Sequence, residues 1–488
     1  MRTHTRHPSF KPPDQKPAPS LASAPRSVKP STCTSPSRQD SQSHAKHHHT
    51  PIVLKSNLAK TTTAQQAATT NLTRTRANPD LKIASLIAGM VCGADCIDDM
   101  DMIRHGGMGE LFDDWRAPST LGSFLRAFSF GHARQVDAVA CRFLAGLDRC
   151  SGVFGPANVQ GPIMVDIDDT VIPVFSANKQ GARVGYTNIR GLDVLLMSVC
   201  GPWFPPVIIN QRLRKGSAHS SRGATRLIRD GLSVLRRSSL GGRQVWLRAD
   251  SGFYSHQIAE LIENQQGWVS LTIKTSQPVR AAIATIKDDA WTNIKYPQAM
   301  WDEDTHTWVS QAQIAETSFV AFGSTKHRLP ARLVIRRIPD YQVDRKITAG
   351  QDPLFACWRY HAFITTVPSE AFNTVDVDRI HRQHAVIEQV NSSLKNCALA
   401  HLPSASFAAN MVWLTCATMA FNLARGLASL TGDDQLTMAT PMMICRRLIQ
   451  IPARISHSGR QVIMHLPDNW RWATQWLTLF NITNRVST

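Results

Sequence analysis

The sequence predicts an α/β chain: a mixed sheet with helices packed on its faces, interrupted by a β-rich insertion and preceded by a helical region. Three observations carry this. Between residues 163 and 274, short apolar runs with twofold alternation are interleaved with helix-period stretches, a pattern that a mixed sheet with flanking helices satisfies most economically. Asp250 and Glu388 are 138 positions apart, too far for one connection inside a compact sheet. That gap contains WTNIKYP, HTWVSQAQI, TSFVAFG and ARLVIRRI, rich in β-branched and aromatic residues at short spacing, hence an inserted β-rich domain.

At 488 residues the chain can bury a large core and divide into two or three domains. Residues 1–78 carry twelve Lys/Arg against Asp14 and Asp40, so +10 of the formal net charge of +18 sits in this stretch. They also hold nine of the 27 prolines and one aromatic, Phe10. Such a segment cannot bury enough apolar surface to offset its ordering entropy and reads as a disordered basic tail. Two readings of it stay open: loose hold on a polyanion by counterion release, or a start codon assigned too far upstream. The run His47, His48, His49 has nothing around it that supplies fixed metal geometry.

Residues 79–155 read as helices. STLGSFLRAF follows Pro118 with Ser119 and Thr120 as candidate caps, and Arg126, His132, Arg134 and Arg142 either meet phosphate or form a wet face. Residues 156–278 form the first part of the core. Its expected members are strands Ile163 to Ile167, Val171 to Ala177, Val194 to Cys200, Val245 to Ala249 and Val269 to Lys274, with helices Ala224 to Leu235 and His256 to Gln265. Residues 279–367 are the insertion, and 368–430 return to the core with a helix around Glu388 and an apolar helix from Phe407 to Leu430. Residues 431–488 are a basic connector and a helical end in which Trp470, Trp472 and Trp476 are expected to pack.

The first thirty residues have no apolar h-region, and Asn410, Asn422 and Arg425 interrupt the most apolar helix, so a soluble cytoplasmic protein without a membrane span is expected. The ten cysteines include no C-x2-C pair. Cys92 and Cys96 lie one helical turn apart without a second pair at zinc-site spacing, and the thiols are expected to be reduced and mostly buried.

Three acids stand out. In PIMVDIDDTVIPVF, Ile163, Val165, Ile167 and Val171 share one strand face, while Met164, Asp166, Asp168 and Thr170 share the other. Asp166 and Asp168 are therefore both candidates, and Asp169 points into the apolar set. Asp250 closes the apolar run of VWLRADSGFY, at a strand's carboxyl end, where open α/β sheets place their sites. The same residue before Ser-Gly-Phe also fits a simple turn or cap. Glu388 is helical: Val386, Ile387, Val390 and Leu394 form an apolar stripe, and His381, His384, Glu388 and Lys395 line the polar face. Two strand-borne aspartates and one helix-borne glutamate can hold a pair of Mg²⁺ ions, which about 4 Å apart clamp the attacking and leaving oxygens of a displacement at phosphorus.

From Asp98 to Trp472 the chain resembles the DDE transposases of bacterial insertion sequences, cut-and-paste enzymes with a ribonuclease-H-like core. The resemblance is carried in order by IDDMDMIRHGGMGELFDDWRAPSTLGSFLRAFSFGHARQVDAV, Asp168-Asp169-Thr170 as D-x-T, KQGARVGYTNIRG, RADSGFY, and the helix with Glu388 and Lys395. It implies Asp168, Asp250 and Glu388 as catalytic metal ligands, the D-x-T match favouring Asp168 over Asp166. It implies Mg²⁺ as cofactor, with Mn²⁺ able to substitute. The implied partners are DNA, both terminal inverted repeats and target, and a second subunit in a homodimeric synaptic complex. Residues 79–155 become a helical DNA-binding domain. Relatives often read Y-x2-R-x3-E-x6-K, and here His381 and His384 replace the Tyr and Arg, so these two and Lys395 are the implied end-DNA contacts. An imidazole lacks the permanent charge and bidentate fork of guanidinium. Trp301 and Trp308 either stack on a base, worth roughly 1–3 kcal/mol, or pack under their own sheet. The alternatives are an inactive or repurposed sequence-specific DNA-binding protein and a cellular nuclease of the ribonuclease H fold.

Overall fold

A computed structural model describes residues 77–111, 114–156, 158–302, 307–339, 358–459 and 461–485. Apart from its last two residues, the stretch read as a basic tail at 1–78 lies outside them, as does His47–His49. The helical region contains α1 (Pro79–Val91), α2 (Pro118–Arg126) and α3 (Phe130–Ser151). Ser119 and Thr120, expected as caps, are inside α2. Its cap is Ala117 and Pro118 stands in the first turn, where a missing N–H costs nothing and φ is already helical. Ser129 caps α3 by accepting from His132 N at 3.3 Å.

Strand β1 (Ile163–Pro173) runs unbroken from the strand expected at 163–167 into the start of the one expected at 171–177, and stops four residues before the end of the latter. Between the main strands, β2 (Arg183–Val184) is a two-residue piece on β3 (Arg190–Gly201). The acids Asp166, Asp168 and Asp169 do not interrupt β1, because it pairs residue by residue with β3, from Met164 opposite Cys200 to Pro173 opposite Gly191. The next strand, β4 (Phe204–Lys215), is not among the expected members, and it carries Pro205 and Pro206 near its start. Among the described strands β4 pairs only with β3, and proline is tolerated on an edge, where its missing donor breaks no ladder.

Helix α4 (Ala224–Leu235) leads to β5 (Val245–Ala249), and α5 (His256–Glu263) leads to β6 (Trp268–Ile273). β1, β5 and β6 are mutually parallel neighbours. After α6 (Gln277–Ala284) the β-rich stretch supplies β7 (Thr292–Asp302), β8 (Thr307–Ala321), β9 (Leu329–Pro339) and β10 (Trp358–Thr365). These four continue the same ten-stranded sheet, ordered β2-β3-β1-β5-β6-β10-β9-β8-β7 with β4 on β3. Trp301 and Trp308 are register partners in β7 and β8, and their side chains lie outside the described residues.

Helices α7 (Thr374–Arg382), α8 (Val386–Lys395) and α9 (Phe407–Leu430) follow. α9 is long and apolar enough to cross a membrane by length and composition, but 89% of its most apolar stretch is buried inside the protein, in one core with α1, α3 and β4. The polar residues that read as interruptions are its anchors. Asn422 exchanges two hydrogen bonds with the Ile208 backbone, at 2.9 and 2.7 Å, beside a register shift in the β3–β4 ladder that skips Ile209. Asn410 bonds Ser404 N and O, and Arg425 donates to Ala439 O. The opposite sheet face is covered differently: Met164, Trp246 and Phe363 pack with Val377 and Ile380 of α7.

Beyond α9, β11 (Arg454–Ser458) and β12 (Gln461–His465) form a separate hairpin within the stretch read as helical, and α10 (Ala473–Arg485) closes the described chain. Trp472 is buried with Leu436, Ile444 and Leu479, and Trp470 and Trp476 pack against the same cluster. Among the described residues eight cysteines are free.

Candidate active site

The parallel ladder between β1 and β5 decides what faces what. Its register, Ile163 opposite Val245 to Ile167 opposite Ala249, sets Asp166 beside Arg248. Continued by one step it sets Asp168 level with Asp250, on strands about 4.8 Å apart. Asp166, Asp168 and Arg248 point to the face covered by α7 and α8, where His384 meets Asp166 and Asn391 meets Asp168, and Asp250 follows directly on the end of β5.

The lower level is a closed ion pair. Arg248 grips Asp166 through Nε and Nη2 at 2.8 and 2.7 Å, and both side chains are fully buried. His384 Nδ1 adds a third contact to Asp166 at 2.9 Å. Burial alone would raise the Asp166 carboxyl, but Arg248 and His384 outweigh it and hold it below the ordinary carboxylate range. Asp169, on the other face, is likewise occupied. It binds Arg214 at 2.7 Å, and Arg214 also holds Asp193 at 2.6 Å and carbonyls of His219, Ser220 and Arg222.

The upper level has no such partner. Burial of β1 is complete up to Ile167 and opens at Asp168. Asp168 accepts a hydrogen bond from Asn391 Nδ2 at 2.8 Å. Burial pushes its carboxyl up to about 7, Asp169 and Asp250 add to the rise, and His384 opposes it. Asp250 caps the short turn Ser251–Phe253 by accepting from Gly252 N at 2.9 Å through Oδ1. The turn-former reading of Asp250 therefore holds for one of its oxygens. Its carboxyl is raised too, by burial first, with Asp169 contributing and the Gly252 bond and His384 opposing.

Glu388 lies in the first turn of α8 and is exposed. Three residues on, Asn391 touches Asp168, and four residues back, His384 touches Asp166, so Glu388 stands one turn from two residues that contact the same strand face. Lys395, a turn beyond Asn391, has its pKa lowered by burial, and it is close enough to Asp168 for that charge to oppose the shift. The sequence spacing predicts one outward face for His381, His384, Glu388 and Lys395, and here the structure differs. A 3₁₀ turn, Gln383–Ala385, separates α7 from α8. It lays the His381 ring flat on Phe363, centroids 4.0 Å apart, with Nε2 3.1 Å from Thr272 Oγ1. Burial drives the His381 pKa well below the ordinary histidine value, so this ring is neutral and turned inward.

Asn391 and Arg248 are the residues that sequence reasoning missed. Asn391 falls three positions after Glu388 on one helix face and could have been found there; Arg248 becomes visible only with the strand register.

A divalent cation fits the upper level on three grounds. Two carboxylates stand level without a protein cation between them, whereas one level down Arg248 fills that place. The pKa of both is raised, by burial first, as expected of carboxyls that no protein cation neutralises. Asn391 Oδ1, beside Asp168, is a buried acceptor with no protein donor, able to receive a hydrogen bond from an ion's water. Among the described residues, three His/Cys/Asp/Glu ligand atoms come within 4.8 Å of one another at Asp95, Cys96 and Asp99, where Asp99 accepts from Asp95 N; Asp168, Asp250 and Glu388 are not drawn together that closely.

Across residues 53–488 the chain matches the family described as transposase DDE domain group 1, and it belongs to that family. It is thus a DDE transposase by family, a class associated with DNA transposition and mobile elements. The match begins inside the stretch read as a tail. No curated protein shows significant similarity to the chain.

Proposed function

We propose that this protein is the transposase of an insertion sequence, binding the element's terminal inverted repeats as a homodimer and cutting and rejoining DNA strands there. One observation carries the reading: Asp168 and Asp250 each follow directly on the last register pair of adjacent parallel strands, Ile167 and Ala249, with Glu388 on the helix tied to Asp168. The strand order supports a ribonuclease-H-like core, with β4, β3 and β1 antiparallel and β5 and β6 parallel to β1, and with β7 to β9 as material inserted before the Glu388 helix.

Asp168, Asp250 and Glu388 would hold Mg²⁺, for which Mn²⁺ can substitute. When bound, such ions neutralise charge on the attacking and leaving oxygens of an in-line displacement. Asn391 fixes the Asp168 rotamer, and the Asp166–Arg248 pair forms a rigid floor below it. Lys395, with no protein acceptor among the described residues, reaches for DNA phosphate. The attacking oxygen belongs to water in the first step and to the freed DNA 3′-hydroxyl in the second. The helical region 79–155 adds phosphate contacts, base stacking falls to Trp301 or Trp308, and the work is done on cytoplasmic DNA.

The test is cleavage of labelled repeat-bearing DNA. Wild-type protein is expected to nick at the repeat end with Mg²⁺, and Asp250→Ala or Glu388→Ala to bind the same DNA without nicking it. Nicking in EDTA, or undiminished nicking by both variants, overturns the reading. Retardation of the duplex by wild-type protein with no cut in Mg²⁺ or Mn²⁺ points to a binding-only descendant.

A further inference from the structure

The histidine at the turn before α8 has a geometry the DNA-contact reading does not use. His384 Nδ1 lies 2.9 Å from Asp166 Oδ1. Asp166 is fully buried and held as an anion by Arg248, so its oxygens can only accept, and the His384 nitrogen facing it must be the one that carries hydrogen. This assigns the tautomer of the neutral ring: Nδ1–H donates, and Nε2 presents a lone pair. Among the described residues no protein donor meets Nε2, and the side chain retains 16% exposure, so that nitrogen is not sealed in. The same imidazole is near enough to both Asp168 and Asp250 to stabilise their charged forms. A carboxylate behind one ring nitrogen, with the other nitrogen left without a protein partner, is how proteins orient histidine toward a metal ion.

We propose that His384 is a nitrogen ligand of the site, its Nε2 coordinating a divalent cation that Asp168 and Asp250 hold, with Asp166 as the residue that orients the ring. The inference rests on the reading of Asp168 and Asp250 as cation ligands. It turns a departure from the family's Arg into a functional difference. A mixed carboxylate–imidazole site favours Mn²⁺ and later first-row ions over Mg²⁺ more than an all-oxygen site does, because imidazole suits those ions and Mg²⁺ is best served by oxygen.

The experiment is electron spin-echo spectroscopy of Mn²⁺ bound to the full-length chain, which detects a directly coordinated ¹⁴N, together with Mn²⁺ and Mg²⁺ titrations. The informative variant is His384→Asn, whose side-chain amide can still donate to Asp166 while nothing replaces Nε2; a thermal melt close to wild type shows that the floor survives. Should that variant fail to fold, His384→Gln takes its place.

Wild-type protein is expected to give ¹⁴N modulation from one Mn²⁺. His384→Asn should lose the modulation and about tenfold in Mn²⁺ affinity, with Mg²⁺ affinity changed much less. Modulation that persists in the variant, or is absent from a wild-type site that still depends on Asp168 and Asp250, overturns the assignment of His384 and leaves the carboxylate site standing. Mn²⁺ binding that is absent, or unaffected by Asp168→Ala and Asp250→Ala, sinks the underlying reading instead.

Discussion

Asn391 donates a 2.8 Å hydrogen bond to Asp168, so the helix that carries Glu388 is tied to the strand that carries the first candidate ligand. The contact joins residues 223 positions apart in the chain and sits one helical turn from Glu388.

If this bond sets the Asp168 rotamer, Asn391→Leu removes the donor while filling similar space. We expect cation affinity and end cleavage to fall by about 10–100-fold, with the circular dichroism spectrum unchanged. Titration calorimetry and single-turnover cleavage check this; wild-type values in both would show that the bond has no positioning role.

The raised Asp168 carboxyl has a consequence for stability. Its folded value of about 7 lies above the value of about 4 for an unfolded aspartate, so the folded state favours the protonated form. Stability from this group is fully present below about pH 4 and is lost as pH rises through 7. Cation-free protein should therefore lose stability across that window. Asp168→Asn should flatten that part of the profile and raise the cation-free Tm at pH 8 by a few degrees, and Mg²⁺ should stabilise wild type but not the variant. Melting curves from pH 4 to 8 test it, and identical profiles would contradict it.

Asp166 and Asp168 share a strand face but differ in what they do. Breaking the buried Asp166–Arg248 pair with Arg248→Met should cost on the order of 3–5 kcal/mol in denaturant unfolding, because a fully buried carboxylate loses its fork. Adding Asp166→Leu should restore much of the loss, since neither charge then remains buried. Asp168→Ala should cost no stability at neutral pH. Equal destabilisation by Arg248→Met and Asp168→Ala would contradict this division.

Lys395 is expected to act on DNA and not on the cation. Lys395→Ala should weaken end binding and lower the slope of log K against log salt by about one, with Mn²⁺ affinity within about twofold of wild type. Filter binding across a salt series reads the first, and an unchanged slope rules the phosphate contact out.

Alternation along 163–171 and the acid contexts made the strand-borne and helix-borne carboxylates legible, because twofold and 3.6-fold periodicity are local. The pairing that matters was not local. That Asp168 stands level with Asp250, while Asp166 meets Arg248, follows from register between strands more than eighty residues apart, which no single stretch encodes. β4 escaped notice because its prolines are tolerated only on an edge, and edge status is a property of the sheet. Asn410, Asn422 and Arg425 looked like breaks in an apolar helix until their backbone partners were visible. One helical face for His381 to Lys395 failed at Gln383–Ala385, where a tighter turn redirects both histidines.

The central claim is that Asp168, Asp250 and Glu388 meet at a divalent cation. Its most direct test is anomalous diffraction at the manganese edge from crystals grown with Mn²⁺. We predict a peak about 2–2.5 Å from carboxylate oxygens of both Asp168 and Asp250, with Glu388 turned toward the same cluster. Peaks confined to other acids, such as Asp95 and Asp99, with Asp168 and Asp250 empty at saturating Mn²⁺, would contradict it.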